Sequence, residues 1–370
     1  MRDSTRTGAR GHRPGYSRMV SSSRAAKNSS GKKALAVVLA ILLVLTGTGF
    51  AVVWWFQRAL VNNVESLGDP FAGRTNRPTP SAGATAGEDL GVDGAMNFLV
   101  LGSDSRISAG DPTQWAAGAQ RTDTMMLVHV PADRENVFVI SIPRDSWVDI
   151  PGHGSAKINA AFSYGGPALT IETVENLTGV PIDHFVMTDF ESFKTITDAL
   201  GGVRMTLKED LHVGSTVIPA GNQQLLTGEQ ALWFVRERKN LPRGDFDRVQ
   251  RQQAWVRAMV AKMRNDGTLG NPIAAQQFLD TVTRSIAADD GLNAAVMGEL
   301  RSLATDLGSN DIVFMTAPYS GTGTSPNGQS IVELNMPAFD SLMEAVRSDT
   351  VSEYIAANPG AFDTLPPVVN

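Results

Sequence analysis

The sequence predicts a layered α/β domain held in a membrane by a single N-terminal helix. Two observations carry this reading. Over roughly residues 95–350, short apolar runs bounded by turn residues alternate with longer segments of helical spacing. Ahead of them, an uncharged run of 23 residues at 34–56, ALAVVLAILLVLTGTGFAVVWWF, is long enough to cross a bilayer core with some tilt.

In chain order, residues 1–33 form a basic tail with nine Lys and Arg against Asp3 alone. The positive-inside rule places this tail in the cytoplasm and everything beyond Phe56 outside. A cleaved signal peptide would have a shorter apolar region ending in small residues, whereas this run ends in Trp54, Trp55 and Phe56, which suit a headgroup interface. Residues 57–94, with DPFAGRTNRPTPSAGATAG and no apolar periodicity, read as a flexible extracytoplasmic tether. A single folded domain is expected over 95–350, and a C-terminal tail, fraying from about Asn358, over 351–370.

Within the domain, strands are expected at 97–101, 124–130, 137–142, 185–188, 203–207 and 312–316. NFLVLG and VFVISI are apolar on both faces, as strands covered on both sides are. Helical spacing marks 168–177, 190–200, 228–236, 246–263 and 292–307.

Composition removes several function classes. The chain carries −6 overall, but the part beyond the basic tail has 23 Lys and Arg against 37 Asp and Glu, about −14, which argues against broad nucleic-acid binding. The tail suits anionic lipid instead. With no cysteine, disulfides, thiolate metal sites and a cysteine nucleophile are excluded. His12, His129, His153, His184 and His212 are scattered without metal-ligand spacing, and no zinc site is expected. GSDS at Ser103 and Ser105 is not the GxSxG turn of a serine hydrolase. The glycine runs YGGP and ALGG lack the lysine of a Walker A loop, so an ordinary nucleotide kinase is not expected.

What remains is phosphate chemistry. Asp104 follows the strand NFLVLG and Asp123 opens the strand TDTMMLVHV, so the two could share a hard cation such as Mg²⁺, unless Asp104 only caps a turn. Arg144 directly follows VFVISI, with Pro143 stiffening its turn. The segment 228–257 concentrates Arg236, Arg238, Lys239, Arg243, Arg248, Arg251 and Arg257 in an otherwise acidic body. Asp245, Arg248 and Gln252 recur at helical spacing on one face. Half of such a charge run is ordinarily solvated, yet arginine forks match phosphate oxygens bidentately, and several around a metal would neutralise a pyrophosphate.

NFLVLGSDSR, RTDTMMLVHV, VFVISIPRDSWVDIPG, KINAAFSYGGP, ALGGVRM, LTGEQALWFVRERK and GDFDRVQRQQ occur in this order over about 95–255, with IVFMTAPYSG downstream. Together they resemble the LytR-CpsA-Psr family of bacterial cell-envelope phosphotransferases. The resemblance implies a central mixed β-sheet sandwiched between helices, with an apolar groove for a polyprenyl chain. It implies Mg²⁺-assisted transfer of a glycopolymer from a polyprenyl-pyrophosphate carrier to a peptidoglycan hydroxyl through a phosphodiester. It assigns metal binding to Asp104 and Asp123, and pyrophosphate contact to Arg144, Arg236, Arg238, Arg248 and Gln252. Catalytic positions fall on Arg121 beside the second aspartate, on Arg238, and on Asp245 as an acidic position considered for the base. The helices at 171–177 and 190–200 could line the groove or be plain core, and the loop at 107–120 is where sugars would be discriminated. A pyrophosphate hydrolase and a non-catalytic lipid-binding or regulatory module are the alternatives.

Overall fold

The computed structural model describes residues 63–79, 94–103, 122–238, 241–268, 271–308 and 311–369, all within one unit, Trp54–Asn370. The apolar run at 34–56 lies outside them; among the described residues, no helix is long and apolar enough to cross a membrane.

Alternation along the strands builds a sheet that is apolar on both faces. Its strands are β1 (Glu65–Ser66), β2 (Met96–Ser103), β3 (Thr122–Val130), β4 (Val137–Ser141), β5 (His184–Asp189), β6 (Ala287–Ala288), β7 (Ile312–Thr316) and β8 (Asp363–Thr364). They lie in the order β1-β6-β5-β2-β3-β4-β7-β8. The sheet is mixed: β5 runs parallel to β2 and β7 to β4, while β2, β3 and β4 are antiparallel in turn, with Leu99 opposite Leu127. Leu99 and Leu101 face one side, and Phe98 and Val100 the other, as the two-residue period of a strand requires.

The first side is covered by α1 (Ala160–Thr178), α7 (Met336–Arg347) and α8 (Val351–Ala357), through Ile171, Val174, Phe339, Leu342 and Val351. The second side is covered by α6 (Ala294–Asp306), through Val296 and Leu303, and by α4 (Asp245–Asn265), through Val256. This is the helix-sheet-helix sandwich expected. A third cluster joins α4 to α2 (Phe190–Ala199), α3 (Gly228–Arg236) and the ribbon of Val203–Leu207 with Gly221–Leu226. Beyond it, α5 (Pro272–Thr283) packs Phe278 against Ile196 and Leu200 of α2.

Three expectations change. The helix expected from 168 begins at Ala160 and is broken at Gly165 and Gly166, before Pro167 restarts it. Gly166 has φ of 62° and ψ of −151°, a conformation that only glycine adopts without strain. Part of the stretch expected as tether belongs to the fold: β1 pairs with β6, and Arg74 and Arg77 reach the fully buried Glu175 of α1 at 2.7 and 2.8 Å. These attachments are single contacts, so the stretch shows no periodicity. At the other end, the tail expected to fray supplies β8, antiparallel to β7, and buries Val369 beside α4.

Candidate active site

The strand ends on one edge of the sandwich, with α2, α3 and α4, enclose a cavity of about 190 Å³. Each charged residue on its wall has a local reason for its position. Asp123 lies in β3 beside the end of β2, where Ser103 pairs with Thr122. Arg144 occupies a turn closed by the Ser146 N–H on the Pro143 carbonyl at 2.9 Å, and the Asn159 N–H bonds to the Arg144 carbonyl at 3.2 Å. Pro143 has no N–H to continue the strand, so the chain turns there and sends Arg144 toward the cavity.

Arg236 sits in the last turn of α3. That helix starts with a reciprocal cap, in which the Thr227 hydroxyl accepts from the Gln230 N–H and the Gln230 side chain accepts from the Thr227 N–H. Gly228 lets α3 approach α2: a Cβ there would lie 2.4 Å from the Lys194 carbonyl oxygen. The approach sets the Arg236 guanidinium 4.3 Å over the Phe190 ring, a cation–π contact that leaves its donors available. Arg238 follows directly on the cavity wall. Arg248 and Gln252 project from α4, which is tied to the sheet by Gln253: its amide donates to Ser141 Oγ and to the Met315 carbonyl, both at 2.9 Å.

The charges interlock. Arg144 pairs with Asp123, and Arg248 Nη2 lies 2.8 Å from Asp245 and 3.4 Å from the Asp123 carbonyl. Asp145 stands between Arg144 and Lys157, the latter at 2.9 Å. Burial lowers the pKa of the Arg248 guanidinium; Asp245 and Asp123 oppose the shift, and Arg144 and Arg238 add to it. Asp245 stands behind the arginines and does not line the cavity. Arg144 Nε, Arg248 Nε and both Asp245 carboxylate oxygens are buried without an aligned hydrogen-bond partner. Each such group costs about 1–3 kcal/mol when left unsatisfied, so the cluster is suited to a ligand that supplies the missing partners.

The remaining wall is apolar, with Val100, Met126, Phe190, Phe193, Leu232, Val235, Trp255 and Val256. Phe193 stacks on Trp255 at 3.9 Å, and the indole donates to the Thr197 hydroxyl at 3.1 Å. The two helices proposed for an apolar groove therefore divide: Ile171 and Val174 are core, whereas Phe190 and Phe193 line the cavity. Trp255 and Val256 are absent from the sequence-derived site, although they continue the Arg248–Gln252 face of α4 at helical spacing.

The arginine-rich segment also divides. Arg236, Arg238 and Arg248 line the cavity, while Arg243 pairs with Asp247 and Asp363, and Arg257 donates to the Pro367 carbonyl. Arg251 lies over Phe234 and donates to its carbonyl at 3.0 Å, and burial lowers its pKa to about 10. Asp104, Arg121 and the loop at 107–120 lie outside the described residues. Among those described, no group of three or more acidic or histidine side chains gathers around a metal position. Asp123, the described member of the pair expected to hold a hard cation, lines the cavity and offers the carboxylate oxygens such a cation takes.

A model of the LytR_cpsA_psr family matches residues 71–348. The chain belongs to the LytR-CpsA-Psr family. Within it, the protein is 32% identical over 287 residues to the cell wall biosynthesis protein LcpA of Corynebacterium glutamicum, covering 66% of this chain and 54% of that one. It is 31% identical over 272 residues to a polyisoprenyl-teichoic acid–peptidoglycan teichoic acid transferase, TagU of Halalkalibacterium halodurans, covering 73% of this chain and 84% of the relative. The match spans little more than half of LcpA. Among solved structures of the fold, TagT bound to LI-WTA aligns with a TM-score of 0.57 and 27% identity over 75% of this chain and 98% of that one.

Proposed function

We propose that this LytR-CpsA-Psr protein is a membrane-anchored phosphotransferase that moves a glycopolymer from a polyprenyl-pyrophosphate carrier onto peptidoglycan. One observation carries the reading: a single cavity lined by Arg144, Arg236, Arg238, Arg248 and Asp123 on its polar wall and by Phe190, Phe193, Leu232 and Trp255 on its apolar wall. A pyrophosphate joined to an isoprenoid chain has this combination of charge and apolar surface. The name of TagU supports the same reaction class, and that of LcpA a part in cell wall biosynthesis.

In the reaction proposed, an acceptor hydroxyl attacks the phosphorus nearest the sugar. The bond from that phosphorus to the bridging oxygen breaks, a phosphodiester forms, and polyprenyl phosphate leaves. Arg144, Arg236, Arg238 and Arg248 offset charge on the phosphoryl oxygens, and Gln252 adds a neutral donor. Asp245, 2.8 Å from Arg248 and 4.0 Å from Arg144, holds them in place and is assigned to receive the hydroxyl proton. Asp104 and Asp123 would hold Mg²⁺, which would further neutralise the pyrophosphate. Arg121, next to that pair in sequence, is assigned to the same catalytic group.

Anchoring belongs to this mechanism. A polyprenyl carrier stays in the bilayer, so its pyrophosphate stays near the outer surface. The run at 34–56, with the basic tail in the cytoplasm, would hold the domain at that surface and raise the effective concentration of donor.

The test is to incubate the purified protein with a polyprenyl-pyrophosphate glycan, peptidoglycan fragments and Mg²⁺. Transfer gives a glycan–peptidoglycan phosphodiester together with polyprenyl phosphate. Lipid binding without either product would identify a binding module instead.

A further inference from the structure

The helix that carries Asp245, Arg248 and Gln252 has no cap of its own. Its N-cap residue is Gly244, at φ 56°, and no side chain caps the first turn from that position. A first turn without a side-chain cap at that position frays more readily unless something else holds it. Here the hold comes from the far end of the chain. Asp363 lies in β8, beyond the stretch 71–348 that matches the family. Its Oδ1 accepts from the Gln250 amide at 2.9 Å, and its Oδ2 from Arg243 Nη1 at 3.2 Å and from the Tyr319 hydroxyl at 3.4 Å.

Arg243 and Tyr319 grip the first turn of α4, and Gln250 lies in the turn that follows. Arg243 is fixed to the buried Asp247 twice, through Nε at 2.8 Å and through its backbone N–H at 2.9 Å. Tyr319 stacks on Phe246 with ring centroids 4.1 Å apart. Gln250 is itself buried, two positions from both Arg248 and Gln252. Asp363 is in turn anchored by the pairing of β8 with β7 opposite Thr316. The charge environment agrees. Burial raises the Tyr319 pKa and the Asp363 carboxylate raises it further, while for Arg243 the pull of Asp247 and Asp363 outweighs burial.

We infer that Asp363 is a positioning residue of the active site. Through Gln250, Arg243 and Tyr319 it holds the turn that carries Arg248 to the cavity wall and Asp245 behind it. The assignment rests on the proposed role of those two residues in phosphoryl transfer. It gives the segment after residue 348 a part in catalysis that the family match does not include.

The experiment compares Asp363→Ala, Asp363→Asn and Val369→Ala in the full chain. Val369 is buried in the same C-terminal segment, in the apolar cluster that joins α2, α3 and α4, and takes no part in the hydrogen bonds of Asp363, so its truncation reports on stability alone. Asp363→Ala is expected to speed amide hydrogen exchange over 244–250 by about 10-fold or more. It should lower kcat about 10- to 100-fold, with KM for the lipid donor within about twofold. Asp363→Asn keeps an acceptor for Gln250 but turns an amide NH₂ toward Tyr319 and Arg243 and loses the charge facing Arg243, and should fall between wild type and Asp363→Ala. Val369→Ala should lower Tm and leave both kcat and exchange over 244–250 as in wild type.

Unchanged exchange over 244–250 in Asp363→Ala overturns the inference. So does a kcat loss that Val369→Ala reproduces at matched loss of Tm. The exchange measurement needs no substrate. If the wild type performs no transfer at all, it still decides whether Asp363 holds the turn, and it is then the proposed reaction that has failed.

Discussion

Arg248 Nη2 lies 2.8 Å from the Asp245 carboxylate one turn earlier on α4, and the pair is buried beside the backbone of Asp123 with neither carboxylate oxygen receiving an aligned hydrogen bond. Arg248 is thus desolvated, and so already paired with an acid that it can share with an incoming phosphate. Removing its guanidinium leaves the buried Asp245 oxygens with only Arg144, 4.0 Å away, and takes a donor from the cavity. Arg248→Ala should lower kcat/KM by about 100-fold or more, measured with donor and acceptor below saturation. Arg251→Ala, three positions on and facing Phe234, should lower stability, and the activity per folded molecule should stay within a few-fold of wild type.

The stacked pair of Phe193 and Trp255 on the apolar wall should read the lipid and not the pyrophosphate. Phe193→Ala should raise KM for a long polyprenyl donor by about 10-fold, equivalent to about 1–3 kcal/mol of lost burial. With a short-chain pyrophosphate donor the variant and wild type should converge. Equal losses on both donors would place the lipid elsewhere.

Glu175 tests whether residues 74–77 are structural. It is fully buried between Arg74 and Arg77, and also accepts from the Ile182 N–H at 3.0 Å. Glu175→Ala strands two arginines and should destabilise the domain by about 3–5 kcal/mol in denaturant unfolding. A change below about 1 kcal/mol would show that these arginines are held by solvent instead.

Stability should also depend on Asp349. Burial tends to raise its pKa, but the His129 ring at 3.0 Å and the Ala132 N–H at 3.1 Å prevail and hold it below the ordinary carboxylate value. A group shifted this way stabilises fully above its unfolded pKa and loses that contribution as pH falls through the lower, folded value. Between about pH 5 and pH 3 the Tm of wild type should therefore fall more steeply than that of Asp349→Asn. Parallel curves would remove Asp349 from the acid response.

Much of the fold was legible because burial on both faces leaves a strong pattern. NFLVLG and VFVISI became β2 and β4, and the spacing at 190–200 and 228–236 became α2 and α3. What escaped was built from single contacts. Glu65–Ser66 and Asp363–Thr364 are two-residue strands with no periodicity, and Arg74 and Arg77 dock on one buried carboxylate. At the site, the charged residues could be picked out because cations concentrate in an acidic chain. Composition alone could not separate Arg248, which lines the cavity, from Arg243 and Arg251, which serve the fold; helical spacing with Asp245 and Gln252 and the family resemblance picked Arg248 out. That division depends on which side of α4 meets the sheet edge and which meets Asp247, Asp363 and Phe234. Trp255 went unassigned, and Phe193 stayed open between groove and core, because a cavity wall and a core look alike in sequence.

Running the reaction in ¹⁸O-water tests the central claim most directly, because it identifies the oxygen that attacks the sugar-side phosphorus. With donor glycan and peptidoglycan acceptor present, transfer to a hydroxyl predicts a phosphodiester product free of ¹⁸O, formed in step with release of polyprenyl phosphate. A glycan phosphate that carries ¹⁸O, with no phosphodiester formed, would contradict transfer and show that the site is a pyrophosphate hydrolase.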